Sequence, residues 1–386
     1  MPIARGQLAF TREEFLRRVR LTKAAMADRR VDTLFVTDHA NLIWLTGYTA
    51  ESAYVEQSLV ISHDLEEPIL CVRKMDFPSA VHQSFMDRER IMAFPESLIA
   101  NADANGYDHM IAHLRDLGIL KGTCGIEHGG LSALAAAYLE RRLAPLTVVD
   151  ATHLVTWLRL RKSDEEIALM RRAGVVADEA ILAAARTIRV GSRESDAVAA
   201  AYSVMVKGGT QIAGSNFCTT PLTGAAHIQW SDHVYAPGSQ VNIELGGAIE
   251  RYCTGVMRTV HVGPPPDRLA RIHDAEVAGL TAALEAAKTG NTCSDVASAF
   301  HAKLNAHGFE KESRCGYAIG INWTETTASL KVGDMTVLEP NMTFHLMLGN
   351  WVDEDFGYVI SETFRVTDAG GDSMSSLPRQ IFVADV

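Results

Sequence analysis

Nothing in this chain reads as a membrane span: no apolar run approaches the roughly 20 residues that crossing a bilayer takes. Its N-terminus, Met1-Pro2-Ile3-Ala4-Arg5, lacks the apolar core of a secretory signal, so a cytoplasmic location is expected. The six cysteines stand apart, at 71, 124, 218, 253, 293 and 315, and no CxxC spacing occurs. Neither a zinc site nor a disulfide framework is indicated. Basic residues are in deficit, 36 Lys and Arg against 47 Asp and Glu, for a net charge of −11. That balance speaks against nucleic acid or an anionic membrane surface as a partner. Low-complexity segments are also missing.

What is present is an ordinary globular composition, 47% hydrophobic and 22% charged over 386 residues. One large or two medium domains with a substantial core follow from it. Thr11-Arg12-Glu13-Glu14 is a capping-box start for a first helix. Buried-strand runs at 33–37, 59–62 and 68–72 come next, with Asn41 to Tyr48 reading as a short apolar turn of chain. Helical stretches at 107–117 and 131–142 alternate with Cys124–Glu127 and a last strand at 148–150. This alternation predicts an α/β N-terminal domain over 1–155. Ser163-Asp164-Glu165-Glu166 then opens a long helix to about 185, and 194–206 is a second. A hairpin, two further helices (269–287, 295–307) and strand runs at 314–321, 337–348 and 358–366 complete the chain. Helices followed by antiparallel strands, twice over, predict α+β for residues 156–386.

The hairpin is the point of chemical interest. In Val241 to Gly246 the apolar residues alternate with Asn242 and Glu244, the period of a half-buried strand. Gly246-Gly247 reads as its break, and Tyr252 to Val262 as its partner. Taken alone, Glu244 is more often a solvated strand carboxylate. Glu362 is different. Tyr358, Ile360, Phe364 and Val366 flank it at even spacing, so it shares an apolar face, and an acid there is costly unless paired or functional. His227 lies in a Gly/Ala-rich approach to a strand, and His345 in another alternating run. A lone histidine such as His227 is more often a hydrogen-bonded structural one.

Several stretches together carry a family likeness. Arg161 to Glu166 followed by Met170-Arg171-Arg172-Ala173, the His227 segment, Glu244-Leu245-Gly246, Tyr252 with Arg258-Thr259, and Ser361-Glu362-Thr363 resemble the pita-bread family in order and spacing. That family holds creatinases, methionine aminopeptidases and Xaa-Pro peptidases, and the likeness runs over essentially the whole chain. It implies a C-terminal pita-bread domain and a smaller α/β N-terminal domain. Metal-dependent members build a dinuclear cage from two Asp, one His and two Glu. Here those positions fall on Glu244, Gly255, Tyr317 and near Met347, with Glu362 as the survivor. Two carboxylates without the histidine do not make that cage. The likeness therefore points to the non-metal, creatinase-like branch, with no cofactor and no metal.

Within that branch the chain is similar to the ectoine-opening hydrolases. The likeness lies at Asn41 to Tyr48, Arg251-Tyr252, Gly290 to Cys293, Met342 to His345 and Leu377-Pro378-Arg379. The loop Asn322 to Thr327 departs from the longer one in those relatives. The resemblance implies a homodimeric hydrolase opening the cyclic amidine of ectoine, possibly 5-hydroxyectoine, to an acetylated diaminobutyrate. A creatinase-like amidinohydrolase on a guanidino acid is the runner-up, and an Xaa-Pro-type metallopeptidase is remote. It assigns Glu244 as nucleophile or base, His227 as proton shuttle and Glu362 as amidinium anchor. Tyr317, His345 and Tyr252 are expected to line the pocket. Trp230 and Trp323 flank it and offer faces for a flat cation.

Overall fold

The computed structural model describes residues 3–49, 52, 54–101, 103–211 and 222–386. The chain divides into two compact units, Met1–Arg159 and Leu160–Val386.

In the first unit six strands form one sheet: β1 (Thr33–Val36), β2 (Ser58–Ser62), β3 (Ile69–Arg73), β4 (Ile91–Phe94), β5 (Thr123–Ile126) and β6 (Thr147–Asp150). Their order is β4-β3-β2-β1-β5-β6, with β1 parallel to β5 and antiparallel to β2. β1, β2 and β3 are buried at every position, hence their unbroken apolar runs. Six helices accompany the sheet: α1 (Arg12–Asp28), α2 (His39–Thr46), α3 (Phe77–Gln83), α4 (Gly106–Asp116), α5 (Ala133–Leu143) and α6 (Leu154–Leu158). α2 corrects the reading of Asn41 to Tyr48 as a turn. Asp38 caps it by accepting from the Asn41 amide, and Gly47 ends it at φ 83°. Because α2 is buried nearly all round, it shows no 3.6-residue alternation to betray it.

The second unit opens with α7 (Asp164–Thr187) and α8 (Glu194–Lys207). Ser163 and Glu166 form the expected reciprocal box, each side chain accepting from the other's amide. The hairpin follows, as β7 (Gln240–Ile249) and β8 (Tyr252–Val262). Then come α9 (Asp267–Ala286), α10 (Cys293–Ala306), β9 (Gly316–Ala318), β10 (Ser329–Leu330), β11 (Thr343–Met347), β12 (Asn350–Asp353), β13 (Phe356–Tyr358), β14 (Ser361–Val366), β15 (Gly371–Ser373) and β16 (Phe382–Ala384). Gly246-Gly247 is not the hairpin's break, because pairing continues to Ile249↔Tyr252. The turn is Glu250-Arg251, both at positive φ (49° and 73°), as two-residue hairpins require.

Eight strands make the large sheet, in the order β10-β9-β11-β14-β8-β16, with β7 also on β8 and β15 on β14. α7 packs on β7 and β8, where Thr254 donates to the Met170 carbonyl at 2.6 Å. Phe344, Leu346 and Phe364 point to the same side and share one core with α9 and α10. One face of the sheet is thus given over to packing against helices. Among the described residues no helix is long and apolar enough to cross a membrane.

Candidate active site

Strand register decides which side chains meet. Glu244 pairs with Met257, Met257 with Ser361, and Ser361 with Met347. One step along, Gly246 pairs with Gly255, Thr363 with His345, and His345 with Tyr317. Side chains two residues apart on a strand share a face. Glu244, Gly255, Tyr317, His345, Met347 and Ser361 therefore all face away from α7, α9 and α10. The four positions Glu244, Gly255, Tyr317 and Met347, scattered over a hundred residues of sequence, come together as the family resemblance implied.

Glu362 does not join them. It pairs with Val256 and Leu346 and points to the helix side. There Arg379 grips it through two hydrogen bonds, 2.8 and 2.9 Å, and buried Arg258 approaches at 3.4 Å. Arg258 also donates to the carbonyls of Ser361, Leu377 and Pro378. Glu362 is buried, as its apolar flanks imply, but its companions are arginines. The strand position on the working face is Ser361, one residue earlier, and nothing in a lone serine advertised it.

Glu244 is 8% exposed, and burial pushes its carboxyl up to about 7. Burial, and then the Glu244 charge, push the Tyr317 hydroxyl up to about 12. Tyr317 stands in a chain of contacts. The Trp323 indole Nε1–H donates to its oxygen at 2.9 Å, and that oxygen lies 3.2 Å from His345 Nδ1. His345 Nε2 lies 2.7 Å from Ser361 Oγ. His345 has no solvent exposure, and burial lowers its pKa to about 3, so the ring is neutral. With the tyrosine oxygen already accepting from the indole, its hydrogen serves Nδ1, and Nε2–H serves Ser361. Trp323 meets His345 edge-on at 5.3 Å.

The remaining expected residues lie elsewhere. Tyr252 spends its hydroxyl on Glu166 at 2.7 Å. Trp230 is 37% exposed and packs edge-on against Tyr202 of α8. His227 is exposed, at positive φ (61°), with no hydrogen bond to a described residue. Its turn nonetheless belongs to the working side. Gly224 and Thr223 press against the β12–β13 hairpin, and the Gly357 carbonyl of that hairpin accepts from Gln240 and Asn242. Those two residues share the face of Glu244.

A pair of hard divalent cations does not fit this donor set. One carboxylate, a phenol, a thioether, a hydroxyl and a bare glycine supply too few anionic oxygens. The space is also filled. A Cβ on Gly246 or Gly255 would come within 2.4 or 2.6 Å of the Trp323 ring. Among the described residues no three His, Cys, Asp or Glu gather as metal ligands.

Residues 168–368 match the model described as metallopeptidase family M24, and residues 18–161 match the creatinase/prolidase N-terminal domain. The chain is 50% identical to an uncharacterized hydrolase/peptidase, y4tL, of Sinorhizobium fredii, covering 99% of this chain and 100% of that one. It is 36% identical to the ectoine hydrolase of Halomonas elongata, covering 97% and 98%. Among solved structures it is similar to an X-Pro aminopeptidase from Thermotoga maritima (TM-score 0.82, 20% identity, 95% and 99% covered). A Xaa-Pro dipeptidase from Bacillus anthracis is alike to the same degree (TM-score 0.83, 19% identity, 96% and 99% covered). At such identities the structural likeness speaks for the fold alone.

Proposed function

The chain belongs to metallopeptidase family M24, with the creatinase/prolidase N-terminal domain, and is a hydrolase of C–N bonds; on that premise we propose that it opens the cyclic amidine of ectoine, and of 5-hydroxyectoine, without a metal. The observation that carries the reading is Glu244. It is the one carboxylate among Glu244, Gly255, Tyr317, Met347 and Ser361, which share a face of the sheet; it is buried and poised near neutral pH. A buried acid of that kind suits an amidinium, which brings its own positive charge and N–H donors to a carboxylate. The named activity of the Halomonas elongata relative supports the same substrate.

The chemistry balances with this residue alone as acid and base. Glu244 takes a proton from water as the water oxygen bonds to the amidine carbon. It then returns that proton to the ring nitrogen as the C–N bond breaks, and the new hydroxyl gives up its own proton through Glu244 to the departing amine as the carbonyl forms. An amide and a free amine result, an acetylated 2,4-diaminobutyrate from ectoine. Direct attack by Glu244 is the covalent form of the same reaction. His227, exposed on its turn, is the candidate to exchange protons with solvent. The enzyme works as a homodimer in the cytoplasm on this reading.

Incubation with ectoine, followed by chromatography for the acetylated product, tests the proposal. Ring opening by the parent and none by Glu244→Gln are expected. Failure to turn over either ectoine defeats it, and urea release from creatine would move the assignment to a guanidino acid. Intact-protein mass spectrometry of the quenched enzyme separates the two forms of attack. An adduct on Glu244 marks the covalent one.

A further inference from the structure

We propose that Trp323 selects the substrate: its indole fills the ground that metal-dependent relatives give to their two cations, and its open side receives a flat organic cation instead. The inference rests on the amidine reading above. Four observations converge on it. First, the ring lies against paired backbone where Gly246 and Gly255 face each other, and a side-chain carbon at either position would collide with it. Second, the ring is held at two points: its Nε1–H donates to Tyr317, and it meets His345 in a T-shaped contact. Third, Trp323 stays partly exposed while Glu244, Tyr317, His345 and Ser361 around it are all buried. Trp323 is therefore the most exposed of the five.

Fourth, Glu244 stands two residues from Gly246 on the same face, roughly 7 Å along the strand. A planar cation lying on the indole would reach that carboxylate with its N–H groups in its own plane. Attraction to the π face and to the carboxylate then act on one group. A neutral ring of the same shape would gain neither. His345, being neutral, adds no competing charge at the ring's edge. Trp230, the other candidate platform, is committed to Tyr202.

The test compares ectoine with a neutral lactam of the same ring size, on the parent, Trp323→Leu and Trp323→Phe. Calorimetric Kd and steady-state KM and kcat are the readouts. Trp323→Leu is expected to weaken ectoine binding and raise KM by about tenfold, the worth of a partly desolvated cation–π contact, with kcat falling less. Lactam affinity should stay as in the parent, and Trp323→Phe, which keeps a π face, should lie between. Equal affinity of parent and Leu variant for ectoine would overturn the inference, as would equal loss of ectoine and lactam. If the Leu variant does not fold, the Phe variant decides, since loss of lactam as deep as loss of ectoine has the same meaning. A parent that turns over ectoine while these differences are missing removes only the role of Trp323. A parent that neither binds nor opens ectoine removes the amidine reading with it.

Discussion

The reactivity proposed for Glu244 comes from where it is held. The sequence shows an acid alternating with apolar neighbours, which a solvated strand would show equally well. Only the register against β8, β14 and β11 reveals what surrounds it. As a general base it must be ionised, so kcat/KM should climb as pH rises through about 7 and level off above. A flat profile from pH 5 to 9 would count against the assignment. The same burial has a cost in stability. The folded chain holds this proton more tightly than the unfolded chain, so the contribution is full below about 4.5 and is lost as pH rises through about 7. Glu244→Gln should therefore be more stable than the parent at pH 8 by ~1–3 kcal/mol, the gap closing toward pH 5 in urea titrations. Glu362 behaves oppositely. Removing its charge strands Arg258, which has no solvent exposure. Glu362→Gln should cost ~3–5 kcal/mol in urea unfolding, while kcat of the folded enzyme falls far less than in Glu244→Gln. Its apolar flanks made its burial legible. They could not tell a site from an ion pair, because both ask an acid to sit inside.

The hairpin β7–β8 was legible as two strands, yet its glycines were misread. Gly246 and Gly247 look like turn formers, and a period-2 pattern cannot distinguish a glycine that bends the chain from one that clears room. Here they clear room, for Trp323 on one side and for the Ala173 carbonyl on the other. The prediction belongs to this pairing. Gly255→Ala should lower stability by ~1–3 kcal/mol in thermal or urea unfolding, through collision with the indole. Adding Trp323→Leu should restore much of that loss, so the two changes are non-additive. Additive losses would mean that the glycine serves something other than the ring. α2 failed to announce itself for the converse reason, since burial on all sides erases the periodicity that marks a helix.

At the scale of the whole chain, composition and charge speak against broad classes of partner, and the motif order carried the family. Neither could say which side of the large sheet works. That follows from contacts between segments more than a hundred residues apart. Exhaustive dialysis against a chelator should leave ectoine turnover intact, with metal well below one equivalent by elemental analysis. Loss of activity on chelation, regained with Mn²⁺, would reinstate the metallopeptidase reading. The ion pair behind the site has a practical corollary. Arg379 and the carbonyls of Leu377 and Pro378 fasten the end of the chain to β14 and to Arg258, and β16 lies alongside β8. Residues 377–386 are thus a keystone beneath the sheet that carries Glu244. Trimming residues 377–386, or hanging a bulky purification handle there, should blunt catalysis from behind without touching one residue that meets substrate.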